Sequence, residues 1–404
     1  MRVLFTTQPA FGHFHPLVPL AHALAAAGHE VAVACSRSFA PMVEASSLRA
    51  LPAGLDWLEE GGDVARAFPE VASIPHGPTR AAWAMANVFG GMTAEMMATD
   101  LLALAADWPF DLVVRETLEF GGCLAAERLG LPHAVVQTVA EQPTIWPILA
   151  APLAHHRAAL GLPPDPELAM IHRYLHLSVR PPTLQIAPLP PTHHSFRAPV
   201  FDRSAVDTAP DWAAGLLESP VIYATLGTVM NRAVPGLFAA ILQGAGPVAG
   251  TLIVAVGGES DPADLGPQPA HVHVERYVPQ SLIFPRCDLV VTHGGSGTLL
   301  AALAHGLPLV MIPIGADQPN NAALVAALGM GRVIRPEERT TAAIGAAARA
   351  VLAEPSYRRN AERLRDEMVA LPGPEYAVHL LERLAVDKQP LLSDRREEAL
   401  IPVS

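Results

Sequence analysis

The feature that most constrains the fold is an alternation of short apolar runs with helical stretches. Residues 2–7, RVLFTT, form an apolar, β-branched run, and residues 30–35, EVAVAC, form another. Between them lies PLVPLAHALAAAG, in which Pro16 suits the first turn of a helix and Gly28 suits its end. This order and spacing predict a parallel β-α-β unit.

The same alternation runs through the chain twice. The stretch 179–211 is so rich in proline that it predicts an extended connection, with a domain boundary near residue 205. The sequence therefore predicts two doubly wound α/β domains, 1–205 and 206–374, facing each other across a cleft. The further predicted strands lie within 110–116, 133–139, 221–228, 251–258, 271–279, 287–295 and 307–314.

Composition excludes several classes of protein. The 404 residues carry 27 Lys and Arg against 39 Asp and Glu, a net charge of −12, which argues against a nucleic-acid partner. Three scattered cysteines form neither a disulfide framework nor a metal-binding pair. The sequence shows no secretory signal and no run of about 20 apolar residues, so we expect a soluble, cytoplasmic protein without a membrane-spanning segment.

Glycines are concentrated in HGGSGT, between a strand that ends at Thr292 and a helix predicted to begin near Thr298. Glycine lets backbone N–H groups approach a ligand, and the helix start attracts an anion, so the turn suits phosphate. The alternative is a tight turn that needs glycine for conformation alone. The candidate phosphate-binding residues are His293, Gly294, Gly295, Ser296, Gly297 and Thr298.

Asp317 and Gln318 follow the next predicted strand. Because parallel strands end at the same edge of a sheet, both residues should lie beside the glycine turn. An acid and an amide there suit a polyol such as a sugar. The alternative role for Asp317 is a helix N-cap.

These motifs resemble those of family 1 glycosyltransferases. The resemblance rests on HGGSGT, on the DQxxN pattern ending at Asn321, on RYVPQSLIFPRCD (276–288) and on TLGT (225–228), and it spans nearly the whole chain. It is closest to the bacterial natural-product enzymes. It implies a GT-B fold with two Rossmann-like domains, and a C-terminal segment of about 375–404 that packs back on the first domain.

The resemblance assigns the donor to the second domain. Tyr277 would pack on the nucleobase, Val278 would contact the base through its backbone, Gln280 would act near the ribose, and Thr228 would face the phosphates. Relatives that use UDP-sugars often carry a ribose-binding glutamate where this chain has Ala301. A donor with 2′-deoxyribose loses least by this change, so we expect a dTDP-activated, deoxy-type sugar.

The nucleotide-sugar would be a co-substrate, and no separate cofactor is expected. No Asp-x-Asp triplet is present, and the spacings of the histidines do not suit a ligand pair on a helix, so we expect no metal ion.

The first loop resembles the one that carries the family's catalytic base, in the sequence GHFHP. His13 follows a glycine and precedes Pro16 by three residues. An attacking hydroxyl must lose its proton, and imidazole, with a pKa of ~6.5, accepts it near neutral pH. A base needs an orienting partner, and Glu116 at a strand end is the first candidate, with Glu119 the second.

By resemblance, the segments 53–97 and 133–160 form the acceptor pocket of the first domain. For any one of their apolar residues, the alternative is an ordinary core position. The acceptor-binding candidates are Phe11, His15, Trp57, Phe68, Trp83, Phe89 and Trp146, with His172 as a further pocket residue.

The sequence thus predicts an inverting glycosyltransferase that moves a sugar to a hydroxyl of a hydrophobic natural product. Two alternatives stay open at this point: a nucleotide-sugar epimerase of the same fold, and a non-catalytic auxiliary homologue. The identity of sugar and acceptor, the linkage type and the oligomeric state, including a homodimer, are left open as well.

Overall fold

The structure is a computed structural model that describes residues 1–56, 68–75, 77–141, 143–202, 210–215, 218–228, 231, 233–258 and 260–393. The chain divides into two compact units. Unit 1 comprises Met1–Phe201 together with the segment that begins at Leu371, and unit 2 comprises Asp202–Ala370.

Unit 1 is built on a parallel sheet of seven described strands in the order β3-β2-β1-β4-β5-β6-β7. The chain moves outward from β1 in one direction, then returns to the other side of β1 at β4. In sheets of this kind, ligands bind at the carboxyl ends of the strands where the strand order reverses, here at β1 and β4. The strands are β1 (Arg2–Thr6), β2 (Glu30–Cys35), β3 (Arg49–Pro52), β4 (Leu112–Glu116), β5 (His133–Gln137), β6 (Leu175–Ser178) and β7 (His193–Ser195).

Helices cover both faces of this sheet, because successive strand residues point to opposite sides. Val3 and Phe5 join a core with α2, whereas Leu4 joins a second core with α5 and α6. The helices are α1 (Phe11–Phe14), α2 (Val18–Ala26), α3 (Ala40–Ala45), α4 (Pro78–Ala84), α5 (Thr93–Asp107), α6 (Gly121–Leu129) and α7 (Trp146–Ala159).

Unit 2 repeats the plan with six described parallel strands in the order β10-β9-β8-β11-β12-β13. The reversal of direction falls between β8 and β11. Its strands are β8 (Val221–Thr225), β9 (Thr251–Ala255), β10 (Val272–Glu275), β11 (Leu289–Thr292), β12 (Leu309–Met311) and β13 (Gly331–Val333). Its helices are α8 (Leu237–Ala245), α9 (Gln280–Ile283), α10 (Ser296–Ala304), α11 (Gln318–Ala327), α12 (Thr341–Ala353) and α13 (Pro355–Ala370).

The last helix, α14 (Pro374–Asp387), belongs to unit 1 and packs against α2. Leu380, Leu381 and Leu384 are buried in the core that also holds Val3 and Phe5. The Tyr376 hydroxyl lies 2.8 Å from His194 Nδ1. The chain therefore leaves unit 1 at Phe201 and returns to complete its core.

The structure refines one sequence expectation and corrects another. Helix α10, expected to begin near Thr298, begins at Ser296. The stretch 179–211 is not wholly an extended connection, because it contains the edge strand β7 and a 3₁₀ turn at Pro182–Leu184. Strand β7 lies between Pro191 and Pro199, where every residue keeps its backbone N–H. The boundary near residue 205 lies outside the described residues, as does the chain beyond 393.

Among the described residues, one helical run, Thr79–Asp107, is long and apolar enough to cross a membrane by length and composition. It is not one regular helix, because a π-helical stretch contains Gly91 with non-helical φ −99° and ψ −109°. Its second part, α5, packs on α6 and buries Met97 and Leu101 in the core. These contacts are those of a core helix in a globular domain.

Helix α14 should stabilise unit 1 through its buried face. We expect Leu381→Ala to lower the free energy of unfolding by about 2–5 kcal/mol, because the fully buried side chain leaves a cavity. Val386 lies on the same helix but is 80% exposed, so Val386→Ala should change it by about 0.5 kcal/mol at most. Chemical denaturation of both variants tests this; equal losses would contradict the packing described.

Candidate active site

A histidine and a buried glutamate meet at the carboxyl edge of the sheet in unit 1. His13 lies in α1, which follows β1, and Glu116 is the last residue of β4. Strands β1 and β4 are hydrogen-bonded neighbours with Thr6 opposite Arg115, so the two loops emerge side by side. His13 Nδ1 lies 3.0 Å from Glu116 Oε1, and the imidazole is 18% exposed whereas the carboxylate is fully buried.

The second oxygen of Glu116 is held by the protein. Oε2 accepts a hydrogen bond from the backbone N–H of Leu118 (2.8 Å) and another from the hydroxyl of Thr138 (3.1 Å). Burial raises the pKa of Glu116, but His13 and these hydrogen bonds outweigh it, so the pKa lies below its usual value. The group is a carboxylate that fixes the ring at Nδ1 and leaves Nε2 on the far side.

Glu119, the second candidate partner of His13, binds other groups. Its carboxyl group accepts hydrogen bonds from the Thr6 hydroxyl and from the backbone N–H of Gly122, at the start of α6. Burial raises the pKa of Glu119. The structure thus brings Glu116, and not Glu119, to His13.

Arg115 is a residue of this site that sequence reasoning missed. Its side chain is fully buried, and Nη1 donates to the carbonyl oxygens of Glu116 (3.0 Å), Thr117 (3.2 Å) and Glu119 (3.2 Å). Nη2 donates to the carbonyl of Ile171 at 2.5 Å. One guanidinium therefore fixes the loop that carries Glu116. The signal in the sequence was an arginine that directly follows the apolar run of a predicted strand.

In unit 2, the glycine turn joins β11 to α10. Gly294 has φ +91°, a conformation that favours glycine, and Gly295 precedes the first helical residue. A Cβ added at Gly297 would meet no atom within 4 Å, so the backbone of the first turn is open to a ligand. An open helix start of this kind binds anions such as phosphate.

His293 lies between two glycines beside this turn. A Cβ added at Gly227 or at Gly295 would come within 2.6 Å of His293 Nε2, so neither position accommodates a side chain. Burial lowers the pKa of His293 to about 4. The imidazole is therefore neutral at pH 7 and serves as a hydrogen-bonding group, not as a cation.

The acid and the amide after β12 lie beside the glycine turn and bind the protein itself. Asp317 Oδ2 accepts hydrogen bonds from the Ser296 hydroxyl (2.6 Å) and from Asn321 Nδ2 (3.1 Å). Gln318 Oε1 accepts from the backbone N–H groups of Ile314 (2.7 Å) and Gly315 (3.0 Å). These bonds tie α10 to α11 and shape the loop, so the expected sugar contacts stay a prediction.

Three predicted nucleotide-binding residues, Tyr277, Val278 and Gln280, lie before α9 and at its first position. Tyr277 is 45% exposed, as a base-stacking residue must be, and Val278 is fully buried. Gln280 Nε2 donates to the Thr298 hydroxyl at 3.1 Å and so links this segment to α10. Thr228 is exposed beyond the end of β8.

Comparison with known proteins assigns the family. Sequence models of the N-terminal and C-terminal domains of erythromycin biosynthesis protein CIII-like proteins match residues 22–193 and 239–384. The chain belongs to this family of bacterial glycosyltransferases. The resemblance noted in the sequence is thereby confirmed, as are the GT-B fold and the assignment to sugar-transferring enzymes.

Individual relatives extend over nearly the full chain. The chain is 32% identical to 4'-demethylrebeccamycin synthase of Lentzea aerocolonigenes, over 95% of this chain and 99% of that protein. It is 31% identical to tylactone mycaminosyltransferase of Streptomyces fradiae, over 95% of this chain and 92% of that protein. The crystal structure of glycosyltransferase VinC in complex with dTDP matches with a TM-score of 0.79 and 27% identity, over 96% of this chain and all of that one.

In this CIII-like glycosyltransferase, the acceptor candidates fall into two groups. Phe11 is 38% exposed, and its ring lies 5.0 Å from that of His15. The other group surrounds α4 to α7. There Phe68 is buried against Trp83, with ring centroids 6.4 Å apart, while Phe89 and Trp146 are partly buried against the core. Trp57 lies outside the described residues.

Ala301, at the position where UDP-sugar enzymes often have a ribose-binding glutamate, lies on α10. It follows Gly297 by four residues, so both lie on one face of the helix. Ala301 is 1% exposed and carries no group that could bind a ribose hydroxyl. Among the described residues, one group of side chains could hold a metal ion, namely Glu141, His172 and His176.

The neutral state of His293 predicts a pH effect on stability. The pKa of His293 is about 4 in the folded chain and ~6.5 in the unfolded chain. The contribution of its neutral imidazole to the free energy of unfolding is therefore complete above pH 6.5 and is lost as the pH falls toward 4. His293→Gln cannot titrate. We expect the difference in unfolding free energy between wild type and variant to shrink by up to about 3 kcal/mol between pH 7 and pH 4.

Urea denaturation at both pH values measures this difference. A difference that stays constant, or grows toward pH 4, would contradict the neutral, buried imidazole.

Proposed function

We propose that this enzyme is an inverting glycosyltransferase that moves a sugar from a dTDP-sugar to a hydroxyl of a hydrophobic natural-product acceptor. The observation that carries the proposal is the 3.0 Å contact between His13 and Glu116 at the carboxyl edge of the sheet. Family membership supplies sugar transfer, and the contact supplies a base suited to it.

The base works through the two nitrogens of one ring. The Glu116 carboxylate, 3.0 Å from His13 Nδ1, keeps the proton of the neutral ring on that nitrogen, so Nε2 presents its lone pair. Nε2 takes the hydroxyl proton of the acceptor as the oxygen attacks the anomeric carbon. The bond from that carbon to the diphosphate breaks on the opposite face, which inverts the configuration. The buried carboxylate stabilises the imidazolium that forms.

The donor proposal rests on unit 2. Its open helix start and the neutral His293 offer N–H groups to the diphosphate without a cationic side chain. Ala301 provides no carboxylate for a ribose 2′-hydroxyl, and the relative VinC was crystallised with dTDP. We therefore assign a 2′-deoxy nucleotide, dTDP, as the carrier.

The acceptor proposal rests on unit 1. Its aromatic side chains include the exposed Phe11 and the partly buried Trp83 and Trp146, which suit an apolar aglycone. One relative's name specifies tylactone as its acceptor. These observations favour a hydrophobic hydroxyl compound over a polar one.

The role of His13 is tested by substitution. We expect His13→Ala to lower kcat about 10²–10⁴-fold, because proton removal loses its base, while dTDP binding is unchanged. His22→Ala is the matched control, since His22 lies on the neighbouring α2, where it contacts the carbonyl oxygen of Ser46 and the ring of Phe201. Transfer is measured as dTDP release and product formation across a panel of dTDP-sugars and aglycones.

Wild-type turnover in His13→Ala would contradict this role. NMR of the product should show an anomeric configuration opposite to that of the donor, and retention would exclude the single displacement. Conversion of the donor sugar without any acceptor would indicate an epimerase instead.

The donor site is tested by ligand-induced stabilisation. A ligand that binds the folded chain raises its Tm, so dTDP should raise it more than UDP at equal concentration. Gly227→Ala should abolish this shift, because its Cβ would collide with His293. Gly236 has nearly the same φ (+75° against +77°) but open space around it, so Gly236→Ala controls for backbone strain and should keep the shift.

A larger shift with UDP would overturn the assignment of dTDP. Equal responses of the two glycine variants would show that the turn around His293 does not hold the nucleotide.

A further inference from the structure

A second cluster of histidine and carboxylate side chains lies in unit 1, apart from His13. Glu141 follows β5, His172 precedes β6, and His176 is on β6. Glu141 Oε1 lies 2.9 Å from His172 Nε2 and 3.0 Å from His176 Nε2. The three atoms all lie within 4.8 Å of one another. Nothing in the proposed transfer reaction uses them.

We propose that Glu141, His172 and His176 form a binding site for one divalent transition-metal ion of the zinc class. Two imidazole nitrogens and one carboxylate oxygen are a donor set that zinc takes, whereas magnesium prefers oxygen alone. Around a tetrahedral ion at 2.0–2.1 Å, neighbouring ligand atoms are about 3.3 Å apart. The observed 2.9 and 3.0 Å are close to this spacing, and the two imidazole nitrogens lie within 4.8 Å of each other.

Contacts behind the cluster orient one of the ligands. His176 and His193 face each other across β6 and β7, with their Nδ1 atoms 2.9 Å apart. His193 Nε2 lies 2.9 Å from the Ser195 hydroxyl. With the metal on Nε2, His176 carries its proton on Nδ1, and this N–H donates a hydrogen bond to His193 Nδ1. The Nε2–H of His193 then donates a hydrogen bond to the Ser195 hydroxyl. Support of this kind fixes the tautomer and orientation of a ligating histidine.

Burial and charge suit a bound cation. Glu141 and His176 are 6% and 0% exposed, and His172 is 20% exposed, which provides an entry path and an open position for water. The carboxylate of Glu141 is the acidic ligand, and its Oε1 faces an imidazole nitrogen of each histidine.

The ion would tie the loop after β5 to the start of β6. The ring of Trp146, an acceptor-binding candidate, packs against the ring of His172, with 5.8 Å between the ring centroids. A metal ion on His172 would therefore hold in place a side chain that contacts Trp146. It lies in unit 1 and is separate from the diphosphate site of unit 2. The proposal therefore stands independently of the proposed donor, acceptor and base.

The test uses the full chain without a histidine tag, freed of metal by chelation. Cobalt(II) serves as a visible probe, and zinc is added to displace it. We expect one equivalent of cobalt to bind with the visible absorption of a four-coordinate nitrogen and oxygen site. Saturating zinc should raise the Tm by about 2–4 °C or more, and magnesium should not.

Variants assign the binding to these residues. His172→Ala and Glu141→Gln should each remove the cobalt absorption and the zinc-induced shift in Tm; the latter keeps the shape of the side chain and an oxygen acceptor. His193→Gln should weaken binding about 10–100-fold. His379→Ala is the control, because that histidine is 65% exposed on α14. The Tm and circular dichroism of each metal-free variant report whether it folds.

Two results would overturn the proposal. One is the failure of the wild-type protein to bind one equivalent of cobalt or zinc. The other is binding that survives both His172→Ala and Glu141→Gln.

Discussion

The contact between His13 and Glu116 depends on the strand order of unit 1 and on the residues that hold the Glu116 carboxylate. It forms because β1 and β4 are neighbours at the point where the sheet reverses direction, so the loops after them emerge together. Leu118 and Thr138 hold the far oxygen of the carboxylate. Arg115 fixes the backbone around it from within the sheet. The contact between α1 and the end of β4 therefore depends on the strand order of the sheet.

Burial gives the titratable groups of the two units different roles. Glu116 stays ionised because His13 and several hydrogen bonds offset the cost of its burial. Glu119, three residues later, has a raised pKa and serves the start of α6. His293 is kept neutral by burial. Similar residue types therefore differ in their charge or in the direction of their pKa shift, according to how each is solvated and bonded.

Much of this could be predicted from the sequence. The apolar runs predicted the central strands, since EVAVAC is β2 from end to end. The edge strand β7 was missed because it is short, polar and flanked by prolines, and its pairing is decided by the sheet. The functions of Gln318 and Arg115 were also beyond local patterns, because their partners are backbone groups brought together by folding. In the cluster at Glu141 the two histidines are four positions apart, but the carboxylate lies 31 positions before the first of them, so sequence spacing did not connect it to them.

The central claim is that Glu116 makes His13 a base. It is tested most directly by comparing kcat of Glu116→Gln and Glu119→Gln under identical conditions. Both changes remove one buried carboxyl group within the same loop, but only Glu116 contacts His13. The account predicts a loss of about 10²-fold or more in kcat for Glu116→Gln, with unchanged dTDP binding, and near wild-type kcat for Glu119→Gln. Equal losses in the two variants, or none in Glu116→Gln, would contradict it.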